Sequence, residues 1–365
     1  MRIIFDVGHP AHVHLYRNTI TELTANGEHI KIIARKREIT YHLLDKYGLN
    51  YIKFPQVSKS MTNPISLIGG INKLSKIAKV FKPDMFVSSG SILSAQVSSL
   101  ISKPHIVFGD TVAKKYSPYY FTSYLVIAPF TNVFCTPSVL NWKPIRNVRY
   151  HGYHELAYLH PNWFKPDPEV LDIANLSKHD KFIIVRFASW DAVHDVGQKM
   201  IFNSIKERVE FINKLERFGK ILITSEIPLP DSLKKYKLPI PPEKLHSLLY
   251  YSSMYIGEGA TLASEAGVLG IPWIWLCGTE KLDYLVDQED NYDLGYNIFN
   301  YQKALNKVKE IFDNYSNIKQ EWQKRRKRLL RNKIDVTAFM VWFLTNYPKS
   351  YEIMKKNPNY DEKFK

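Results

Sequence analysis

Cysteine is scarce in this 365-residue sequence, which contains only Cys135 and Cys277. The two lie far apart in apolar, strand-like contexts, where free cysteine packs as a small hydrophobic side chain. The sequence therefore predicts neither a disulfide framework nor a cysteine-based metal site.

Long apolar runs are also missing. No stretch is long enough to cross a bilayer, and the sequence opens directly on a strand pattern at residues 2–7 instead of a charged and then apolar leader. We therefore expect a cytoplasmic protein.

Acidic residues are outnumbered, with 35 Asp and Glu against 50 Lys and Arg, which gives a net charge of +15. This balance implies an anionic partner such as nucleic acid, a membrane surface or a phosphorylated small molecule. Part of the charge lies in residues 324–328 and Arg331 on a predicted helix, where a solvated helix face is the simpler explanation. No nucleic-acid recognition motif accompanies the charge, so nucleic acid is not an expected partner.

Strand and helix patterns alternate along the whole chain, whose length predicts two domains. The alternation predicts an α/β protein with two doubly wound, Rossmann-like parallel sheets. It begins again after residues 137–168, which are rich in proline and aromatic residues and which we interpret as the connection between domains. The predicted domains are residues 1–160 and 161–334, followed by a helix and tail at residues 335–365.

One unit can be assigned closely, at residues 254–276 (MYIGEGATLASEAGVLGIPWIWL). The pattern predicts a strand at 254–256, a glycine turn at 257–259, a helix at 262–269 and a second strand at 273–276. The N–H groups and the positive dipole end of such a helix suit a phosphate. Gly259, Ala260 and Thr261 are the predicted phosphate site.

Ser264 and Glu265 follow one helical turn later. A carboxylate at this position can accept hydrogen bonds from both hydroxyls of a ribose, so the unit outlines a nucleotide pocket. The alternative is a simple tight turn followed by a solvated Glu265, because short glycine motifs often match by chance.

The spacing Gly259-Ala260-x-x-x-Ser264-Glu265, followed by Gly270-x-Pro272, resembles the donor-binding motif of two-domain, GT-B type glycosyltransferases. The nearest resemblance is to the lipid-linked N-acetylglucosamine transferase of peptidoglycan synthesis. It implies that Gly259 and Ala260 bind the donor diphosphate and that Glu265 binds the ribose of UDP. It also implies two domains facing across a cleft and a last helix that crosses back to the first domain. Glu258 departs from the motif and would repel a diphosphate, so we expect it to point away.

Three histidines stand in residues 8–14, a predicted loop at the carboxyl edge of the first sheet. Histidine titrates near neutrality and is a plausible general base for a sugar hydroxyl. Ala11-His12-Val13 resembles, without the glycines, the glycine-glycine-histidine loop of the same transferases, which makes His12 the first candidate and His14 the second. Alternatively, His9 is a turn residue and His14 a helix cap. The group lacks a clear carboxylate partner, so no metal site is expected.

Arg186 ends a predicted strand before residues 188–195. Its planar guanidinium suits a diphosphate, although Asp191 or Asp195 could equally be a structural partner. In GT-B transferases the loop at this place contacts the donor phosphates, which favours the functional interpretation.

Nearly the whole chain resembles a prokaryotic family of predicted glycosyltransferases known as a domain of unknown function. The resemblance rests on residues 10–14, 83–84 with 88–91, 108–111, 152–161 and 186–195. This resemblance implies the fold and a class of reaction, and it supplies no substrate. The leading hypothesis from the sequence is an inverting, metal-independent transferase that moves a sugar from a nucleoside-diphosphate donor, UDP above all, to an acceptor hydroxyl, with no other cofactor.

Two other function classes remain. One is a relative of the non-hydrolysing UDP-N-acetylglucosamine 2-epimerases, whose Gly-Thr-Arg-Pro-Glu-like first loop is matched poorly by Gly8-His9-Pro10-Ala11-His12. The other is a basic nucleic-acid-binding protein, which only the charge supports.

A lipid-linked acceptor would bring the protein to a membrane. Residues 63–81 read as a helix in which Ile65, Ile68 and Ile71 alternate with Lys73, Lys76 and Lys79, as in an interfacial helix at an anionic membrane surface. The alternative is that the apolar residues pack on the sheet while the lysines are solvated.

Overall fold

The computed structural model describes residues 1–54, 64–110, 126–141, 146–187, 201–225, 228–278, 281–315 and 317–365, with only the backbone at residues 64 and 65. The chain forms two compact units, one of Met1–Trp163 with Lys333–Lys365 and the other of Phe164–Asn332. Each unit is built on one parallel sheet with helices, which confirms the predicted α/β class with two Rossmann-like sheets.

The sheet of the first unit has the order β3-β2-β1-β4-β5-β6-β7. The order reverses between β1 and β4, and in such sheets ligands bind at the carboxyl ends of the strands beside this point. Its strands are β1 (Arg2–Val7), β2 (His29–Arg35), β3 (Tyr51–Phe54), β4 (Met85–Ser88), β5 (His105–Phe108), β6 (Val133–Pro137) and β7 (Asn147–Tyr150). Its helices are Pro10–Ala25, Thr40–Lys46, Pro64–Phe81, Ile92–Leu100, Leu156–Leu159, Val336–Thr345 and Lys349–Lys356.

The sheet of the second unit has the order β12-β11-β10-β8-β9, with its reversal between β8 and β10. Its strands are β8 (Phe182–Phe187), β9 (Lys220–Ser225), β10 (Met254–Gly257), β11 (Trp273–Leu276) and β12 (Gly295–Ile298). Its helices are Glu169–Ile173, Ile205–Leu215, Asp231–Lys234, Leu245–Tyr251, Ala260–Leu269, Asp283–Asp290, Tyr301–Asn314 and Ile318–Asn332.

The first helix begins earlier than predicted. His9 caps it, since His9 Nδ1 accepts a hydrogen bond from the Ala11 N–H at 3.1 Å, and Pro10 occupies the first helical turn, where its missing N–H costs nothing. The prediction of a loop through residue 14 is therefore wrong from Pro10 onward. His12 and His14 lie on a helix.

The connection predicted at residues 137–168 is also wrong in part. It contains β7 and the helix Leu156–Leu159, and Tyr150, Tyr153 and Tyr158 are buried. These aromatic side chains build the core of the first unit, so their abundance did not signal a linker. The sequence pattern also predicts a strand at residues 125–128. This prediction is wrong where the structure describes the segment, because Ala128–Phe130 is a 3₁₀ turn around Pro129.

The helix Pro64–Phe81 packs its apolar side on the first sheet. Leu74 and Ala78 are fully buried in a cluster with Ile4, Phe86 and Leu93. This packing accounts for much of the apolar pattern, while Ile65 lies outside the described side chains. Among the described residues, no helix combines the length and the apolar character needed to cross a membrane.

The basic helix Ile318–Asn332 is only partly a solvated face. Arg326 Nε donates to the Val268 carbonyl at 2.8 Å, and Gln323 Nε2 donates to the Leu269 carbonyl at 2.7 Å. These bonds satisfy carbonyls at the end of the helix Ala260–Leu269. Cys135 and Cys277 are free and buried, as predicted.

His105 in β5 gives the first unit a pH-dependent stability. It is fully buried between Ser88 and Thr131, and burial lowers its pKa from 6.5 to about 4. Between these pH values the unfolded chain binds a proton that the folded chain excludes, so stability falls by roughly 3 kcal/mol as pH drops through this window. Urea unfolding at several pH values should show this loss. The loss of stability should be smaller in His105→Gln than in the wild type. An equal loss in both proteins would show that His105 is not its cause.

Candidate active site

The glycine turn of the second unit lies directly against Arg186. A Cβ at Gly257 would lie 2.4 Å from the Arg186 carbonyl oxygen, and one at Gly259 would lie 2.5 Å from Arg186 Cδ. Both positions therefore require glycine because of close approach. The structure brings together two parts of the predicted donor site that are far apart in sequence.

Arg186 and the turn are held by neighbouring side chains. Arg186 donates to Thr224 Oγ1 on β9 at 3.2 Å. Tyr255, buried on β10, donates its hydroxyl to the Gly259 carbonyl at 2.8 Å, and burial raises the pKa of this tyrosine. Residues 188–195, with Asp191 and Asp195, lie outside the described residues.

The helix Ala260–Leu269 begins without a side-chain cap. Ala260 is partly exposed and Thr261 exposed in its first turn. The N–H groups of that turn precede the first intrahelical donor, the N–H of Ala263, which bonds to the Gly259 carbonyl. This end of the helix can bind an anion through its backbone.

Glu265 is buried and hydrogen-bonded. Its Oε1 lies 2.9 Å from Nε2 of His246 on the helix Leu245–Tyr251, and both residues are about 5% exposed. This burial excludes the alternative in which Glu265 is a solvated helix residue. A carboxylate held in this way has lost rotamer freedom and is preorganised for a ligand.

Ser264 and Glu258 are also buried. Ser264 Oγ accepts from Gln288 Nε2 at 2.9 Å, which is a packing contact with the helix Asp283–Asp290. The backbone of Glu258 is bound on both sides, by the Arg186 carbonyl and by Trp275 Nε1. Donor binding by Ser264 and a Glu258 side chain that points away from the diphosphate stay predictions.

In the first unit, His12 is partly exposed at the carboxyl edge of the sheet. Its Nδ1 accepts a hydrogen bond from the Gly8 N–H at 3.3 Å. The pKa of His12 is well below 6.5, first because of burial and then because of His9 and Arg35 nearby. The ring is therefore neutral at physiological pH.

His14 points to a different side of the same helix, since two residues correspond to a rotation of about 200°. It is buried, with Nδ1 3.4 Å from the Tyr47 hydroxyl and its ring 5.3 Å from that of Tyr158. These are the contacts of a core histidine. The structure does not bring His14 together with His12, and a catalytic role for it stays untested.

An ion pair stands beside His12. Asp6, at the end of β1, is buried and lies 2.8 Å from Arg35 at the end of β2. Asp6 also accepts hydrogen bonds from Ser91 and from Ser94, the latter at 2.8 Å. A Cβ at Gly8 would lie 2.4 Å from the Arg35 guanidinium, so glycine at this position leaves room for the Arg35 side chain against the backbone.

A second histidine, His154, follows β7 at the same edge. Its Nδ1 lies 3.1 Å from Oδ2 of Asp110, which follows β5 and is about one-third exposed. Sequence reasoning used both residues only as marks of resemblance, because β7 was not recognised. A strand assignment at residues 147–150 would have placed His154 in the site. Nowhere in the described parts of the chain do three or more His, Cys, Asp or Glu side chains form a group that could hold a metal ion.

The family described as a protein of unknown function, DUF354, matches residues 1–349. The chain belongs to this family. No curated protein matches it.

Solved structures similar to this DUF354 chain share its two-domain fold. The UDP-GlcNAc 2-epimerase of Neisseria meningitidis, bound to UDP-GlcNAc, is 14% identical with a TM-score of 0.65, covering 94% of this chain and 100% of its own. The Methanocaldococcus jannaschii UDP-GlcNAc 2-epimerase, with UDP-GlcNAc and UDP, is 15% identical with a TM-score of 0.62, covering 87% and 94%. The spinosyn rhamnosyltransferase SpnG, with thymidine diphosphate, is 13% identical with a TM-score of 0.62, covering 95% and 100%. At these identities the likeness shows the GT-B fold, as predicted.

Proposed function

We propose that this protein is an inverting glycosyltransferase that moves a sugar from a nucleoside-diphosphate donor, UDP above all, to an acceptor hydroxyl. One observation carries the proposal: the uncapped helix behind the glycine turn, with Arg186 against the turn and with Glu265 buried in the same helix and bonded to His246 of a neighbouring helix. This arrangement supplies groups for the diphosphate and for the ribose of a nucleoside diphosphate.

The chemistry follows from charge development. When the sugar leaves, negative charge grows on the diphosphate, and a fixed guanidinium and helix N-terminus stabilise that charge without reorganising. Arg186 and the N–H groups of Ala260 and Thr261 take this role, and Glu265 binds the ribose. We propose that these groups suffice without a metal or other cofactor.

The ligands named for similar structures support a sugar nucleotide. The epimerases were solved with UDP or UDP-GlcNAc and the rhamnosyltransferase with thymidine diphosphate. A thermal-shift series over uridine, thymidine, guanosine and adenosine diphosphates and their sugars tests the proposal. Stabilisation by at least one compound is expected. No stabilisation by any of them would remove the transferase and the epimerase together.

A 2-epimerase is the second candidate, because two imidazoles, His12 and His154, lie at one edge of the first sheet and such a pair can act as acid and base. Incubation with UDP-GlcNAc separates the two functions. An epimerase inverts the sugar at C2 in the absence of an acceptor, as NMR of the product shows, whereas a transferase leaves that carbon unchanged.

A lipid-linked acceptor would require contact with a membrane, and the helix Pro64–Phe81 offers a surface for it. Ile68 and Val80 are exposed there, by 56% and 83%, and Lys76 and Lys79 are exposed within the same arc of about 120°. We expect the protein to bind weakly to anionic liposomes, and we expect added salt to reduce this binding. Lys73 is not counted in this surface, because its ammonium group donates a hydrogen bond to the Lys53 carbonyl at 2.7 Å.

Liposome flotation measures this binding. Replacing Lys76 and Lys79 together by Gln should weaken it more than tenfold, at about 1 kcal/mol per lysine. The matched control replaces Lys324 and Lys327, exposed on the second unit's basic helix, and should change little. Wild-type protein that stays in the soluble fraction at every lipid composition would show that the helix serves packing alone.

A further inference from the structure

The two histidines at the edge of the first sheet hold their protons on opposite nitrogens. His12 Nδ1 accepts from the Gly8 N–H, so the neutral ring carries its proton on Nε2. His154 Nδ1 lies 3.1 Å from Asp110 Oδ2, and an ionised carboxylate only accepts, so this ring carries its proton on Nδ1. His12 thus presents a donor at its outer nitrogen, and His154 presents a lone pair.

Among the residues that the structure describes, none donates a hydrogen bond to the second ring nitrogen of His154, Nε2. Nε2 is buried and makes no hydrogen bond with any described residue, and the residue is 91% buried. A buried acceptor left unpaired destabilises the fold, and native proteins rarely keep one without a water or a ligand to satisfy it. A hydroxyl group is the simplest ligand that supplies the missing donor.

We infer that His154, oriented by Asp110, is the group that takes the proton from the acceptor hydroxyl, and that His12 donates a hydrogen bond to the substrate. This inference rests on the proposed transferase function and deepens it. The sequence suggested His12 for the proton acceptor, but in the resting structure the nitrogen of His12 that could act as a base is engaged by Gly8.

The proposed step balances as follows. The O–H bond of the acceptor breaks and its proton moves to His154 Nε2. The electron pair left on oxygen forms the bond to the anomeric carbon, and the bond from that carbon to the diphosphate oxygen breaks, with its electrons leaving on the diphosphate. The carboxylate of Asp110 stabilises the imidazolium, as the aspartate of a catalytic triad does, and solvent then takes the proton.

The surroundings keep the two rings in these roles. Burial first, and then the nearby His9 and Arg35, hold the pKa of His12 well below its usual range although Asp110 raises it, so His12 stays neutral and cannot compete for the proton near pH 7. Asp110 is a positioning residue in this scheme, because it acts through His154 and not on the substrate.

The tautomers can be measured directly by long-range ¹H–¹⁵N NMR on protein labelled at its 12 histidines. The signals of His12 and His154 are assigned by their loss in the His→Gln variants. We expect the Nε2–H tautomer for His12 and the Nδ1–H tautomer for His154. Asp110→Asn should change the tautomer of His154 and leave that of His12, which the Gly8 N–H fixes, unchanged. The Nε2–H tautomer at His154 would overturn the inference, whatever the activity of the protein.

Turnover provides the second test, followed as UDP release from UDP-N-acetylglucosamine with water as the acceptor. His154→Gln should lower kcat by about 100-fold or more, and Asp110→Asn by about tenfold or more with KM unchanged. His151→Gln is the matched control, because His151 also pairs with an aspartate, Asp361, at 3.0 Å, and it should stay near wild type.

The outcomes separate the two proposals. If the wild type turns over and the kcat of His154→Gln is within threefold of it, the proposed role of His154 is wrong and the proposed transferase function is retained. A wild type that no nucleotide stabilises, and that releases no UDP, would overturn the proposed function and with it the base.

Discussion

Glu265→Ala is expected to abolish the stabilisation that a nucleoside diphosphate gives the wild type, because the ribose hydroxyls lose their buried acceptor. Ligand at 100 times its Kd stabilises a protein by about 2.7 kcal/mol, which corresponds to a rise in Tm of roughly 5–10 °C for a unit of this size. The quantity to compare between the wild type and Glu265→Ala is the change in Tm that the ligand causes. Removing Glu265 also leaves His246 without its 2.9 Å partner and lowers the Tm of the free protein.

Two further variants make the Glu265 result specific. Glu265→Gln keeps the side-chain volume and a hydrogen bond to His246 but accepts at one oxygen only, so an intermediate shift is expected. Glu210→Ala removes an exposed glutamate paired with Lys214 at 2.6 Å and should keep the full shift. A full shift in Glu265→Ala would place ribose binding elsewhere.

His12→Ala is expected to lower turnover by roughly two to three orders of magnitude, the usual loss when one preorganised hydrogen-bond donor to the transition state is removed. His12 belongs to the first unit, whereas the proposed nucleotide pocket belongs to the second. The nucleotide-induced shift in Tm should therefore stay as in the wild type. UDP release measures the turnover, and a thermal-shift assay measures the change in Tm caused by the nucleotide.

His42→Ala is the control for His12, since His42 is an exposed histidine of the same unit. It should leave both turnover and nucleotide binding unchanged. If His12→Ala removed the nucleotide shift as completely as Glu265→Ala, the assignment of the pocket to the second unit would be wrong.

The parts of the fold that local sequence determines were predicted well. β1 and β11 match their predicted bounds, residues 2–7 and 273–276, since each is a short apolar run between turn residues. The helix Asp283–Asp290 was missed because five of its eight residues are charged or amide side chains and only Tyr284, Leu285 and Gln288 are buried. β7 was missed because Asn147 and Arg149 interrupt its apolar residues.

In the candidate site, too, the sequence predicted the features that depend on local sequence and missed those that depend on tertiary packing. The turn at Gly259 and the place of Glu265 follow from spacing within one βαβ unit, so the sequence could show them. The partner of Glu265 is His246, on a preceding helix, and the partner of His154 is Asp110, two strands earlier in the chain. Such pairs depend on how elements pack, and a single sequence holds no local signal for them.

The first unit is discontinuous in sequence, and this sets an order for its completion during synthesis. Thr337 donates to the Ala157 carbonyl at 2.6 Å, Phe339 packs on Tyr150 with ring centroids 5.3 Å apart, and Asp361 accepts from the His151 N–H at 2.6 Å. None of these partners leaves the ribosome until the whole of Phe164–Asn332 has been made. The unit that begins first is therefore finished last. The second unit, which is continuous, can fold while the helix Pro10–Ala25 still lacks its contacts with the helix Val336–Thr345.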